Sequence, residues 1–136
     1  MSAESEILFE VYQAFNQRDI PKALAKMHPD VDWPNGMEGG RVHGHSSVRD
    51  YWERQWKLID PHVEAVRIEE DESGRFVVTV HQFVRDLNGN VLQDRMIWHV
   101  YTIRDNLIQK MEIQEPETDR NREAAPSQNS ARSTVR

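Results

Sequence analysis

The sequence predicts an α+β domain in which helices pack on one face of a curved antiparallel sheet. Three observations carry that expectation. Apolar residues recur at helical spacing in two stretches before Pro61, the period changes to two after it, and from Pro116 onward large apolar side chains almost vanish. The folded domain is therefore expected over 1–115. The remainder, 116–136, is expected to be a disordered polar tail, because it cannot bury enough surface to offset the entropy of ordering.

Length and charge narrow the functional classes. A chain of 136 residues has room for one domain with a real core. Its net charge of -6 argues against a nucleic acid or an anionic membrane as partner. There is no cysteine, which removes disulfides, thiolate nucleophiles and Cys-ligated zinc together. No basic-then-apolar signal pattern opens the chain, and no apolar run approaches the ~20 residues of a membrane helix. A soluble, cytoplasmic protein is expected.

From Glu4 to Gln17, Ile7, Leu8, Val11, Tyr12, Ala14 and Phe15 recur with charged or amide residues between them, which predicts an amphipathic helix. Asp19 is placed as an N-cap and Pro21 suits the first turn of a second, short helix to about Met27, ended by His28-Pro29-Asp30. Val31-Asp32-Trp33 reads as a brief strand before the turn residues Pro34-Asn35-Gly36 and Gly39-Gly40. A third helix is expected from Ser46-Ser47. Ser47 and Asp50 form an approximate capping box there, and Val48, Tyr51, Trp52, Trp56 and Ile59 supply the apolar side. Asp60-Pro61 stops it. His62 to Glu70 is expected as a strand with Val63, Ala65 and either Val66 or Ile68 inward, Asp71-Glu72-Ser73-Gly74 turns the chain, and three long strands fill Gly74 to Glu115.

The middle one of these strands holds a histidine inside an apolar and aromatic run. Arg95, Ile97, His99, Tyr101 and Ile103 share one face, and Met96, Trp98, Val100 and Thr102 share the other. What His99 meets depends on register. Asp86-Leu87-Asn88-Gly89 is favoured as a type I turn with Gly89 as a left-handed bulge residue, which pairs His81 with Arg95 and brings both histidines to one face. A two-residue Asn88-Gly89 turn sends His81 to the other face. At Arg104 to Asn106, a bulge with Asn106 left-handed turns Met111 and Ile113 toward His99, whereas a slip of one residue brings Glu112 there instead.

Several short motifs occur in a telling order: Phe15-Asn16-Gln17-Arg18-Asp19, His43-Gly44 ahead of Val48-Arg49-Asp50-Tyr51-Trp52, and Val100-Tyr101-Thr102-Ile103-Arg104-Asp105-Asn106-Leu107-Ile108. Together they resemble the SnoaL-like branch of the nuclear transport factor 2-like superfamily, over about Ser2 to Glu115. The resemblance implies a cone, in which a bent sheet wraps the helices around a central pocket and the convex face often makes a dimer. It spans ketosteroid isomerases, polyketide cyclases, dehydratases and non-catalytic binding proteins, so fold does not settle function. The isomerase tyrosine of the first helix falls on Val11, with Tyr12 next to it. The isomerase base falls near Asn35, with Asp32 the nearest carboxylate, and the cyclase acid of the final strand falls near Ile113.

The expected function is that of a SnoaL-like protein with a hydrophobic small-molecule pocket. Proton transfer of the isomerase, cyclase or dehydratase type would act on a cyclic carbonyl-bearing substrate, without a cofactor. The alternative is a non-catalytic binding dimer of the same fold. His99 is the candidate acid or base, His81 with Arg95 the anchor for an oxyanion or carboxylate, and Asp32 or Tyr12 auxiliary. Phe15, Trp33, Asn35, Trp52, Trp56, Ile97, Tyr101, Met111 and Ile113 complete the expected binding wall. A plain core histidine is the simpler reading of His99. His43-Gly44-His45 near Glu38 lacks a third ligand at a useful interval, so no metal is expected. Met96, Trp98 and Val100 are expected in a homodimer interface on the convex face.

Overall fold

The structure, a computed structural model, describes residues 2–115; the expected polar tail lies outside the described residues. Helix α1 (Ala3–Asn16) starts where the Ser2 side chain accepts from the Ser5 N–H, and Glu4 and Glu6 in its first turn suit the helix dipole. Its stripe of Ile7, Leu8, Val11, Tyr12 and Ala14 is buried. The helix ends at Gln17, and Arg18 takes a left-handed φ of 64°. The Asn16 amide then stitches α1 to the sheet, donating to the Val63 carbonyl at 2.7 Å and accepting from the Val63 N–H at 3.0 Å. Asp19 caps α2 (Ile20–Leu24) as expected.

Strand β1 (Met27–Pro34) begins earlier than the sequence suggested, taking in His28-Pro29-Asp30, which was expected as a helix stop. It pairs in parallel with the last strand at both ends, Met27 with Ile108 and Asp32 with Lys110, and the register shifts between them, around Pro29. That shift accommodates a residue with no N–H to give the ladder. Strand β2 (Arg41–His43) pairs antiparallel with β1. Helix α3 (Gly44–Trp56) starts before the expected capping box, so Ser47 and Asp50 lie inside it. Gly44 makes this start possible: it has φ +84°, and a Cβ there would sit 3.3 Å from the Pro29 carbonyl oxygen.

Strands β3 (Ile59–Glu70), β4 (Phe76–Asp86), β5 (Val91–Arg104) and β6 (Leu107–Gln114) complete a curved, unclosed six-stranded sheet in the order β2-β1-β6-β5-β4-β3. The helices pack on its concave face. The 86–90 turn forms as expected: Gly89 N–H donates to the Asp86 carbonyl at 3.1 Å, Asp86 N–H donates to the Asn90 carbonyl at 2.8 Å, and Gly89 has φ 92°. Immediately beyond it the register moves by one, since Arg85 faces Val91 but Val84 faces Gln93, leaving Leu92 as a bulge. His81 therefore pairs with Met96, not Arg95, and points to the outer face. The second turn has Asp105 and Asn106 both left-handed, with a bulge at Thr102/Ile103. It places Ile113 opposite His99 and Met111 opposite Tyr101, as the sequence predicted. No described helix is long and apolar enough to cross a membrane.

Candidate ligand cavity

Between α1, α3 and the concave sheet lies a cavity of about 370 Å³. Its apolar walls come from the residues that build the core. Phe15, Trp33 and Trp52 meet edge to face, with Phe15–Trp52 and Trp33–Trp52 centroids 5.3 and 5.8 Å apart. Ile97, Met111 and Ile113 close the sheet side, and Arg95 reaches the wall nearer the chain's C-terminal edge, where its Nη1 pairs with Glu115 at 3.0 Å. Among the described residues no Asp or Glu lines the cavity.

The polar centre is a chain of three side chains. Tyr101 donates its hydroxyl proton to Tyr12 Oη at 2.9 Å, and Tyr12 Oη lies 2.7 Å from His99 Nδ1. With Tyr101 donating to Tyr12, the Tyr12 proton goes to Nδ1 and the ring proton of neutral His99 is on Nε2; with both hydroxyls turned round, the ring proton is on Nδ1. Among the described residues Nε2 makes no hydrogen bond, and His99 lines the cavity, so this nitrogen is the one available to a ligand. Burial holds the His99 pKa down to about 3, with no carboxylate among the described cavity residues to favour the cation. Burial also raises both tyrosines above their ordinary range. All three groups are thus neutral across the physiological range.

Of the candidates from sequence, the fold brings Tyr12, His99, Tyr101, Arg95, Phe15, Trp33, Trp52, Ile97, Met111 and Ile113 to one cavity. Four do not reach it. His81 lies on the outer face with Nε2 2.6 Å from Asp94 and Nδ1 3.8 Å from Glu64. Asp32 pairs with Arg41 and sits 3.4 Å from His43 Nε2, because β1 turns Val31 and Trp33 inward instead. The Asn35 amide is used locally, accepting from Glu38 N–H at 2.8 Å and donating to Glu38 Oε1 at 2.9 Å. Trp56 backs the wall, stacked on Trp52, with the Arg18 guanidinium 4.8 Å from its ring.

His45 hydrogen-bonds the Met27 carbonyl at 2.9 Å, and no group of three metal-ligating side chains exists among the described residues. Tyr51, Gln55, Gln82 and Gln93 also line the cavity and were not expected there from the sequence. The spacing of Tyr51 and Gln55, one helical turn apart, was the available signal.

A curved sheet holding helices against its concave face, with a buried polar chain opening on a cavity, defines a pocket-bearing cone. The SnoaL-like domain model matches residues 9–111, and the chain belongs to that family, within the nuclear transport factor 2-like superfamily. Among solved structures, TerC co-crystallised with polyporic acid is 27% identical over 87% of this chain and 95% of its own, with a TM-score of 0.74. An NTF2-like protein from Burkholderia pseudomallei K96243 is 28% identical over 90% and 97%, also with a TM-score of 0.74. Rv0760c from Mycobacterium tuberculosis, in complex with estradiol-17beta-hemisuccinate, shares the fold at 14% identity over 87% and 97%, with a TM-score of 0.72. None of the curated proteins matches the chain.

Proposed function

We propose that the cavity binds a hydrophobic, cyclic, carbonyl-bearing small molecule and moves a proton at the carbon next to that carbonyl, as isomerases, cyclases and dehydratases do, with no cofactor. The observation that carries this reading is the Tyr101–Tyr12–His99 chain ending at the free Nε2. Its two hydroxyls can rotate together. In the reversed orientation His99 Nδ1–H donates to Tyr12, Tyr12 donates to Tyr101, and Nε2 presents a lone pair.

The transfer then balances without creating charge. Nε2 takes the proton from carbon, Nδ1 passes its own to Tyr12, Tyr12 passes one to Tyr101, and Tyr101 protonates the carbonyl oxygen to give the enol. A neutral relay of this kind suits a cavity whose described lining offers no carboxylate base and keeps all three groups uncharged. Arg95 is positioned to receive an acidic group on the ligand, in exchange for Glu115. That TerC was crystallised with polyporic acid is consistent with an acidic cyclic ligand here.

The test is proton exchange into a simple enolisable ketone. 1-Tetralone incubated with the protein in D2O is expected to lose its C2 proton signals faster than with His99→Gln, as followed by NMR. Equal rates would overturn the proton-transfer reading. A second reading, binding without catalysis, is favoured by the lack of a carboxylate among the described lining residues; tight binding without any exchange is its signature.

The outer sheet face is read as a homodimer surface through the exposed Met96 and half-buried Trp98. Val100, expected to join them, is 3% exposed and contributes little. Light scattering at micromolar concentration is expected to give twice the chain mass, and a monomer would contradict this.

A further inference from the structure

We propose that Arg95, Gln82 and Gln93 form an acid-binding subsite at the mouth of the cavity, so that the ligand is a keto acid whose anionic group lies roughly 10 Å from its carbonyl. This deepens, and rests on, the reading that the cavity holds a carbonyl compound against His99.

Among the described residues that line the cavity, Arg95 alone carries a charge. It shares the concave face of β5 with Ile97 and His99, and four residues of strand set it about 13 Å from His99. Ile97 between them is fully buried and apolar. The two ends differ in access. His99 is 7% exposed, whereas Arg95 and Gln93 are exposed and mark the open end.

Two amides flank the guanidinium. Gln82 stands opposite Arg95 on β4, Gln93 lies two residues along β5, and both line the cavity. Gln82 Nε2 donates to Gln93 Oε1 at 2.7 Å, which leaves both Gln93 amide protons without an acceptor among the described residues. Turning both amides over only exchanges their roles, so in either arrangement one amide keeps two N–H groups for a ligand. A carboxylate accepts from the guanidinium and from this amide together. Its competitor is already in place. Arg95 Nη1 pairs with Glu115 at 3.0 Å, and both side chains are nearly half exposed, so the pair is weak and exchangeable. An anion at the His99 end meets only neutral groups. The acid is therefore held at the mouth and the carbonyl inside, with the ring system lying across Ile97.

The experiment uses 1-tetralone carrying a carboxymethoxy group at C6, far from the carbonyl, or at C8, beside it. Each acid is compared with its uncharged carboxamide, and affinity is read from the fluorescence of Trp33 and Trp52 in the cavity wall. The C6 acid is expected to bind wild type about tenfold more tightly than its amide, and the C8 acid no more tightly than its own. Arg95→Met is expected to bring the C6 ratio to about one, and replacing both Gln82 and Gln93 by Met to lower it about threefold. Glu115→Gln is expected to raise it about threefold and leave the amide's affinity unchanged. A C6 ratio near one in wild type, a ratio that survives Arg95→Met, or equal gains for both acids would overturn the subsite, while 1-tetralone itself still binds and the pocket reading stands. A ratio unmoved by the double substitution or by Glu115→Gln would strike those residues from it. If neither 1-tetralone nor any derivative binds, the pocket reading falls and the subsite with it.

Discussion

His99 and His81 sit on adjacent strands of the same sheet and meet opposite surroundings. His99 faces the concave side, 7% exposed, with a tyrosine on Nδ1 and its pKa held near 3 by burial. His81 faces outward between two carboxylates, Asp94 and Glu64. The register favoured for the 86–89 turn put both on one face. The face of the strand, moved by the single bulged residue Leu92, separated them. A histidine buried in a wall where no described residue is acidic stays neutral and hydrogen-bonds, whereas one among exposed carboxylates is part of a surface charge cluster.

Substitutions should break this contrast in order of size. His99→Gln is expected to lower the exchange rate by about a hundredfold or more, while His81→Gln changes it by less than about twofold. A comparable loss in His81→Gln would restore that residue to the site. Tyr12→Phe cuts the relay between its two ends, and a drop of about ten- to a hundredfold is expected in the same NMR assay. Because the imidazole is neutral above about 3 and both tyrosines stay protonated beyond their ordinary range, the wild-type exchange rate should be flat through neutral pH rather than bell-shaped.

Stability should follow the same division. The folded chain refuses a proton on His99 that the unfolded chain accepts below 6.5, so stability is full above that pH and falls as pH drops toward 3. Chemical denaturation between these limits should show that slope in wild type, still present in His81→Gln and reduced in His99→Gln. The smallest effect is expected at the outer cluster. His81 and Asp94 side chains are 38% and 57% exposed, and Asp94→Asn should shift stability by less than about 1 kcal/mol.

Much of the fold could be read from the chain because its cues are local. The α1 stripe, the Asp19 cap, the left-handed Asn106 and the alternation of Met111 and Ile113 each report on their own few residues. The errors arose where one residue depends on a distant partner. His28-Pro29-Asp30 reads as a helix stop, yet pairing with β6 draws it into a strand. The Leu92 bulge has no Gly or Asn to announce it. Tyr12, one residue beyond the family position at Val11, reaches His99 only through the packing of α1 across the sheet.

The most direct test of the central claim is ¹⁵N NMR of the His99 ring. The account predicts a neutral imidazole with a proton on one ring nitrogen only, unchanged across about pH 5 to 8. A His99 signal that titrates within that range, with both ring nitrogens protonated at its lower end, would contradict it.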